Sequence, residues 1–185
     1  KGDLHAGHLS LVTEANKICQ YTVVSIYLNP GQFGPDEDFE RYPRDEENDL
    51  RILTENEVDL AFVPRLDEMY PADFSTSISV SRLTQNLCAI SRPGHFNGVA
   101  TICAKLFNQC RPDVAVFGEK DYQQLQVIRH MVKDLNIPIE ICSVPTVREP
   151  DGLAISSRNV YLDQEGRTRA ARINAILSET AARLY

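Results

Sequence analysis

Two histidines near the start of the sequence have the spacing of an anion-binding site. His5 and His8 lie on either side of Gly7 in the stretch LHAGHLSLV, where an apolar pattern of helical period begins. The N–H groups and dipole of a helix N-terminus favour anions, and imidazoles one turn apart can donate hydrogen bonds to phosphate. Gly7 would allow close approach of the backbone. The same pattern also fits an exposed polar turn.

Further groups that suit a phosphate follow apolar runs or lie on loops. Lys120 and Asp121, in FGEKDYQQL, come directly after such a run and begin a predicted helix. A lysine at a helix N-terminus is unfavourable unless an anion is bound nearby. Ser156, Ser157 and Arg158 offer two hydroxyls and a guanidinium, which together suit a phosphate. Neither stretch is specific when taken alone.

Neutral amides follow the apolar run 21–28 and suit a small polar substrate. Asn29 and Gln32 could recognise a hydroxyl or a carboxylate. Asn29 is followed by Pro and Gly, so its side chain fits ordinary turn chemistry equally well. The stretch SRPGHF adds Arg92 and His95 as candidate polar groups.

Acidic residues begin the predicted helix 45–57. Asp45, Asn48 and Asp49 form either a solvated helix face or part of a magnesium site. The sequence contains no G-x-x-x-x-G-K-[ST] and no G-x-G-x-x-G, so it is neither a P-loop NTPase nor a standard dinucleotide binder. Taken together, the polar groups predict a site that stabilises charge on a nucleotide phosphate.

These groups must be positioned by alternating helices and strands. Apolar, β-branched runs predict strands, and apolar residues at helical spacing predict helices. The predicted strands are 21–28, 58–64, 78–80, 113–118 and 137–145, and the predicted helices are 8–20, 45–57, 81–90, 97–110, 119–136 and 163–184. This order predicts an α/β protein with a Rossmann-like, doubly wound parallel sheet. Ligands of such sheets bind at the carboxyl ends of the strands.

The alternating pattern stops after Pro145. We therefore expect a first domain over 1–146 and the beginning of a smaller C-terminal α+β domain over 147–185. The helix that begins near His8 would normally follow a strand, and no second domain is completed after the last helix. We therefore expect a fragment that is truncated at both ends and lacks the first strand.

Composition narrows the class of protein. The net charge of −7 argues against general binding to nucleic acid or to an anionic membrane, and no apolar run is long enough to cross a bilayer. The five cysteines form no C-x-x-C pair, which indicates reduced core thiols and a cytoplasmic protein.

Six stretches of the sequence occur in the order and approximate spacing of one enzyme family. They are LHAGHLSLV, SIYLNPGQF, YPR, SRPGHFNGV, FGEKDYQQL and VPTVREPDGLAISSRN. The H-x-G-H pattern resembles the nucleotidyltransferase superfamily, which includes the class I aminoacyl-tRNA synthetases. The whole set resembles the pantoate–β-alanine ligase (pantothenate synthetase) family. The resemblance implies ATP-dependent condensation of pantoate with β-alanine through a pantoyl adenylate, with release of pyrophosphate and AMP, in a homodimer.

The resemblance also implies residue roles. It assigns ATP binding to Gly7, His8, Gly118, Lys120, Asp121, Ser156, Ser157 and Arg158; catalysis to His5, His8, Lys120 and Arg158; and pantoate binding to Gln32 and Gln124. Asn29, Arg92 and His95 are further candidates, and Asp49 is a candidate neighbour of Mg²⁺ through water. Departures from the family pattern occur at Lys1, Gly31 and Ile155, and Gly31 could loosen the pantoate pocket.

Two other functions remain open at this point. An adenylyltransferase that moves AMP onto a phosphate needs H-x-G-H but has no use for the pair Gln32 and Gln124. A non-catalytic fragment could bind nucleotide or only dimerise.

Overall fold

The computed structural model describes residues 3–184, so the departure at Lys1 lies outside the described residues. The helices are α1 (Ala6–Ile18), α2 (Glu46–Glu55), α3 (Leu66–Met69), α4 (Cys88–Ser91), α5 (His95–Cys110), α6 (Tyr122–Asp134) and α7 (Gln164–Leu184). The strands are β1 (Val23–Ser25), β2 (Leu60–Phe62), β3 (Val114–Gly118) and β4 (Glu140–Val144). Short 3₁₀ segments lie at Pro30–Gln32, Glu119–Asp121 and Ser157–Tyr161.

The strands form two parallel pairs. In one pair β1 lies beside β2, with Val23 opposite Leu60, and in the other β3 lies beside β4, with Gly118 opposite Val144. The parallel strands and intervening helices confirm the predicted α/β, Rossmann-like class. The sheet differs from the expected continuous one, because no strand within residues 3–184 hydrogen-bonds between the two pairs. Helix α1 contacts β3 and β4.

The core has two parts because the helices present apolar stripes to different strands. The larger cluster joins α5 and α6, whose residues Val99, Val127 and Ile128 have no exposed surface. The smaller cluster joins Val12 of α1 with Ile26 after β1 and with Leu53 of α2. Helix α1 therefore packs on both strand pairs, and its N-terminus is fixed between them.

Two predicted elements between β2 and α5 are wrong. Residues 78–80 form no strand; the N–H of Ile78 donates to Thr101 Oγ1 on α5 at 2.9 Å. The predicted helix 81–90 is reduced to α4, because Arg82 and Leu87 have positive φ angles of 64° and 55°. Such angles are incompatible with a right-handed helix.

The turn after β1 lies tightly against α5. A Cβ atom on Gly98 would lie 1.9 Å from the carbonyl oxygen of Gly31, so only glycine fits at position 98. The Asn29 side chain donates to the Gly98 carbonyl at 3.1 Å and thereby joins the same two segments. This contact fixes the position of the 3₁₀ turn that contains Gln32.

The chain after β4 returns to the N-terminus of α1. An isolated antiparallel bridge joins Arg148 to Ala154, and Ser157 of the following 3₁₀ segment donates to the Asp3 carbonyl. Helix α7 then leaves with no fully buried residue. None of the helices within residues 3–184 combines the length and the apolar character that a membrane span requires.

Candidate active site

A cavity of about 260 Å³ opens at the carboxyl end of β3, beside the N-terminus of α1. This is the end of the strands at which ligands bind in parallel sheets. The predicted residues that line it are His5, Gly7, His8, Gly118, Lys120, Asp121, Gln124, Ser156, Ser157 and Arg158. Segments far apart in the sequence therefore meet around one space.

The two histidines cap α1 with their own rings. His5 is the N-cap, and its Nδ1 accepts from the N–H of Gly7 at 3.1 Å, while His8 Nδ1 accepts from the N–H of His5 at 3.3 Å. The rings stack with centroids 4.0 Å apart. Because both Nδ1 atoms accept, the neutral form of each ring carries its proton on Nε2.

The environment of His5 favours that neutral form. Burial lowers the pKa of His5, and the positive charge of Lys120 lowers it further. A neutral imidazole keeps the Nδ1 lone pair that caps the helix and still has an Nε2–H to donate. The ring is therefore suited to hydrogen bonding with a phosphate oxygen, and not to holding a permanent charge.

Lys120 lies on the 3₁₀ segment that joins β3 to α6. Its ammonium group is 3.9 Å from the carboxylate of Asp121, and both side chains are substantially exposed. Such a long, exposed ion pair contributes little. The ammonium group can therefore pair with an anion in the cavity. Gln124, one turn further along the chain, presents an amide to the same cavity.

The loop opposite is ordered by its own hydroxyls. Ser156 caps the 3₁₀ segment by accepting from the N–H of Arg158 at 3.3 Å, and Ser157 is buried against the Asp3 carbonyl. Arg158 donates from Nε and Nη2 to the Asp38 carboxylate at 2.8 and 2.6 Å. These hydrogen bonds lower the pKa of Asp38. The guanidinium of Arg158 also lies 5.3 Å from the ring centroid of Tyr42.

Asn29 and Gln32 lie in the turn after β1 and are not among the lining residues of the cavity in the described chain. Asn29 has no exposed surface, and its amide oxygen accepts from the N–H of Gly31 and the hydroxyl of Tyr70. These are the hydrogen bonds of a turn residue, and the expected role of Asn29 in substrate binding stays a prediction. Gln32 is 7% exposed.

Arg92 and His95 also lie away from the cavity lining. Both contact the main-chain carbonyl of Gln32, at 3.0 Å from Arg92 Nη2 and 2.8 Å from His95 Nδ1. Arg92 also pairs with Glu37, and this hydrogen-bonded pair lowers the pKa of the Glu37 carboxyl.

Asp49 is buried and hydrogen-bonded to the main chain. Its carboxylate accepts from the N–H groups of Asp3 at 2.9 Å and Leu4 at 2.7 Å, and the residue has no exposed surface. Both oxygens are thus committed to the backbone that leads into α1. Within residues 3–184 no group of three or more His, Cys, Asp and Glu side chains could hold a metal ion. Asp49 therefore supports the turn that leads to His5, and its expected place near Mg²⁺ through water stays a prediction.

Three contributors were not found from the sequence. Tyr42 lines the cavity, and Glu37 and Asp38 hold the two arginines. The run PDEDFE is visibly acidic, but the sequence does not indicate which basic residues it pairs with, because those residues lie far away along the chain. The assembled site offers neutral imidazole, ammonium and guanidinium donors around one cavity, which can stabilise negative charge on a phosphate.

Comparisons with known proteins agree with this chemistry. The family model for pantoate-beta-alanine ligase matches residues 1–184. Pantothenate synthetase of a Thermoanaerobacter species is 55% identical over 178 residues, covering 96% of this chain and 63% of that protein. The one from Pseudothermotoga lettingae is 52% identical over 184 residues, covering 100% of this chain and 65% of that protein. The chain thus spans less than two thirds of the length of these curated relatives.

Solved structures match the fold closely. Pantothenate synthetase from Thermus thermophilus superimposes with a TM-score of 0.95 at 52% identity, covering 98% of this chain and 67% of that one. Pantoate-beta-alanine ligase from Francisella tularensis, in a complex with Beta-gamma ATP and Beta-alanine, gives 0.90 at 38% identity, covering 96% of this chain and 68% of that one.

Proposed function

Because this chain belongs to the pantoate–β-alanine ligase family, we propose that it forms the ATP- and pantoate-binding part of an enzyme that joins pantoate to β-alanine. The observation that carries the proposal is the convergence of His5 and His8 with Lys120 and Arg158 on one cavity. An adenylyltransferase would need the histidines too, but the family match favours the ligase.

In the first proposed step, a carboxylate oxygen of pantoate attacks the α-phosphorus of ATP. A P–O bond to the acyl oxygen forms and the bond to the β-phosphate oxygen breaks, which gives pantoyl adenylate and pyrophosphate. A free carboxylate is a poor acyl donor, and adenylation supplies a good leaving group. No protein nucleophile is needed, so catalysis consists of positioning and charge stabilisation.

In the second step, the amine of β-alanine attacks the acyl carbon. The C–N bond forms, the acyl C–O bond to AMP breaks, and the nitrogen loses a proton to water. The products are pantothenate and AMP.

The chain's own donors match the charge that develops in the first step. The Nε2–H groups of His5 and His8 and the ammonium of Lys120 would stabilise the phosphate oxygens. Gln32 and Gln124 would bind pantoate through their amides. Gly118 and Asp121, at the end of β3, would lie against the adenosine.

Arg158 needs a change of partner to hold a phosphate. Its two hydrogen bonds to Asp38 occupy the same face that would meet a bidentate phosphate. In the proposal the nucleotide competes with Asp38 for the guanidinium, while Ser156 and Ser157 keep the loop in place. Since Arg158 already lines the cavity, this requires a movement of one side chain only.

Mg²⁺ belongs to the proposal as a counterion that the nucleotide's phosphates and water would hold, which is its usual mode with nucleotides. The family likeness also leads us to propose a homodimer and a cytoplasmic location. We further propose that 1–146 and 147–185 belong to separate domains, because the strand pairing ends with β4.

The test is pantoate-dependent exchange of labelled pyrophosphate into ATP, without β-alanine, in the complete protein that contains this sequence. We expect exchange in the wild type. His8→Ala and Lys120→Ala should each reduce its rate by orders of magnitude, about 10²-fold or more, with little change in thermal stability. Arg167→Met, which breaks an ion pair with Asp151 outside the cavity lining, is the control and should retain exchange.

A folded wild-type protein that binds ATP but shows no exchange would refute the ligase proposal and favour an adenylyltransferase. Undiminished exchange in His8→Ala or Lys120→Ala would refute the role of that residue alone.

A further inference from the structure

The main-chain carbonyl of Gln32 is held from two sides by residues that precede or begin α5. Arg92 Nη2 donates to it at 3.0 Å and His95 Nδ1 at 2.8 Å. Gln32 is 7% and His95 8% exposed, so water competes little for these bonds. A buried carbonyl that accepts from two donors has a fixed position. The position of the Gln32 Cα atom, from which the side chain extends, is therefore fixed as well.

The hydrogen bonds determine the form of His95. Its Nδ1 lies against a carbonyl oxygen and must carry a proton, while its Nε2 lies 3.2 Å from Nη1 of Arg92, which can only donate. In its neutral form, His95 therefore carries its proton on Nδ1.

Glu37 fixes Arg92 in turn. The guanidinium donates from Nε to Oε1 at 2.7 Å and from Nη2 to Oε2 at 2.5 Å, with both side chains about one quarter exposed. A bidentate pair fixes the plane of the guanidinium. Since Arg92 also holds the carbonyl of Gln32, one side chain ties down both ends of the segment 32–37.

The opposite side of the turn is fixed by backbone packing. Gly98 of α5 lies so close to Gly31 that a Cβ atom at position 98 would collide with the Gly31 carbonyl. The turn thus cannot shift toward α5, and the two donors prevent it from shifting away. The hydrogen bonds of Gln32 within residues 3–184 are made by its main chain, and its side-chain amide takes no part in them.

We propose that Glu37, Arg92 and His95 are positioning residues for Gln32, and that they orient its amide toward pantoate without touching the substrate themselves. The inference rests on the proposed function, in which Gln32 and Gln124 bind pantoate. It differs from a substrate-binding role for Arg92 and His95, because both residues donate to the main-chain carbonyl of Gln32.

The test separates pantoate binding from ATP binding in the pyrophosphate exchange assay with the complete protein. Arg92→Met and His95→Ala each remove a donor to Gln32, and each should raise the apparent KM for pantoate by about tenfold or more. The apparent KM for ATP should stay within about twofold of the wild-type value. Glu37→Gln keeps a hydrogen-bonding partner for Arg92 and should have a smaller effect.

A conservative variant distinguishes positioning from general structural damage. The amide nitrogen of Asn occupies about the place of His Nδ1, so His95→Asn should restore a pantoate KM close to that of the wild type. Arg167→Met, which breaks an exposed ion pair elsewhere, should leave both KM values unchanged. Thermal melts of every variant show whether it is folded.

Several results would overturn the inference. A wild-type pantoate KM in folded Arg92→Met and His95→Ala would do so, as would equal increases in both KM values. A loss of kcat with unchanged KM values would indicate a catalytic or purely structural role and would also refute it. Absence of exchange in the wild type would refute the proposed function, and the positioning role with it.

Discussion

Replacement of Asp49 by asparagine tests whether this carboxylate supports the His5 turn or serves a metal ion. Asp49 lies on α2, and its two oxygens accept from the backbone N–H groups of Asp3 and Leu4 at 2.9 and 2.7 Å. These residues lead directly into the histidine cap of α1. In Asp49→Asn one oxygen remains, and the new NH₂ group must face a backbone donor.

The expected loss of stability follows from those two bonds. A hydrogen bond to a charged group contributes about 1.5–3 kcal/mol, and a buried donor without a partner costs about 1–3 kcal/mol. Asp49 has no exposed surface, so water cannot replace the missing acceptor. We therefore expect a loss of about 3 kcal/mol, which for a chain of this size lowers the melting temperature by about 6–12 °C.

Urea unfolding of the wild type and Asp49→Asn, with and without Mg²⁺, measures this loss. The control is Asp45→Asn on the same helix, because Asp45 is an exposed N-cap and asparagine caps equally well. The control should lose no more than about 0.5–1 kcal/mol. A loss below about 1 kcal/mol in Asp49→Asn, together with a changed dependence of exchange on Mg²⁺, would refute the structural role and restore the metal role.

Three further predictions concern packing and titration. Gly98→Ala should lower the free energy of unfolding by about 3 kcal/mol, because its Cβ would meet the Gly31 carbonyl. Gly31→Ala is the control: its Cβ would have no contact closer than 3.5 Å, so the free energy of unfolding should change by less than about 1 kcal/mol. Equal urea midpoints for the two variants would contradict this prediction. Tyr27→Phe should raise that free energy by about 1 kcal/mol, because the buried hydroxyl has no hydrogen-bond partner among the described residues, and a lower midpoint would contradict it. His5 is neutral in the folded protein at pH values where the unfolded chain is protonated, so it reduces stability as the pH falls below about 6.5. Lys120→Met should raise the pKa of His5, as measured by NMR titration of the ring, and an unchanged pKa would refute that electrostatic coupling.

The long periodic segments were predictable because burial acts on every turn of a helix. The predicted helix 97–110 corresponds to α5, which begins two residues earlier, and the predicted strand 113–118 contains β3. Ile78 was misassigned because a short apolar run has the same pattern in a strand and in an extended segment packed on a helix. The positive φ angle of Leu87 interrupts the predicted helix 81–90. It could not be predicted, because an apolar residue at this position gives no indication of a left-handed backbone.

The cavity was predictable where its residues follow strands directly. Lys120 comes two residues after β3, and the topology of parallel strands places that end at the ligand site. The same rule places Asn29 after β1, where the turn uses its amide in three hydrogen bonds, so a role of Asn29 in substrate binding stays a prediction. The roles of Asp49 and Glu37 depended on partners 45 to 55 positions away, which no local pattern reveals.

Adjacent acidic residues connect the two ends of the proposed site. Glu37 binds Arg92, which holds the turn of Gln32, and Asp38 binds Arg158, which lines the cavity. When a phosphate takes Arg158 from Asp38 in the proposed reaction, the pair between Glu37 and Arg92 remains. The substrate turn therefore keeps its position while the nucleotide loop exchanges partners. Because the two arginines have separate acidic partners, Arg158 can move when ATP binds in the proposed reaction without displacing the turn of Gln32, which is proposed to orient pantoate.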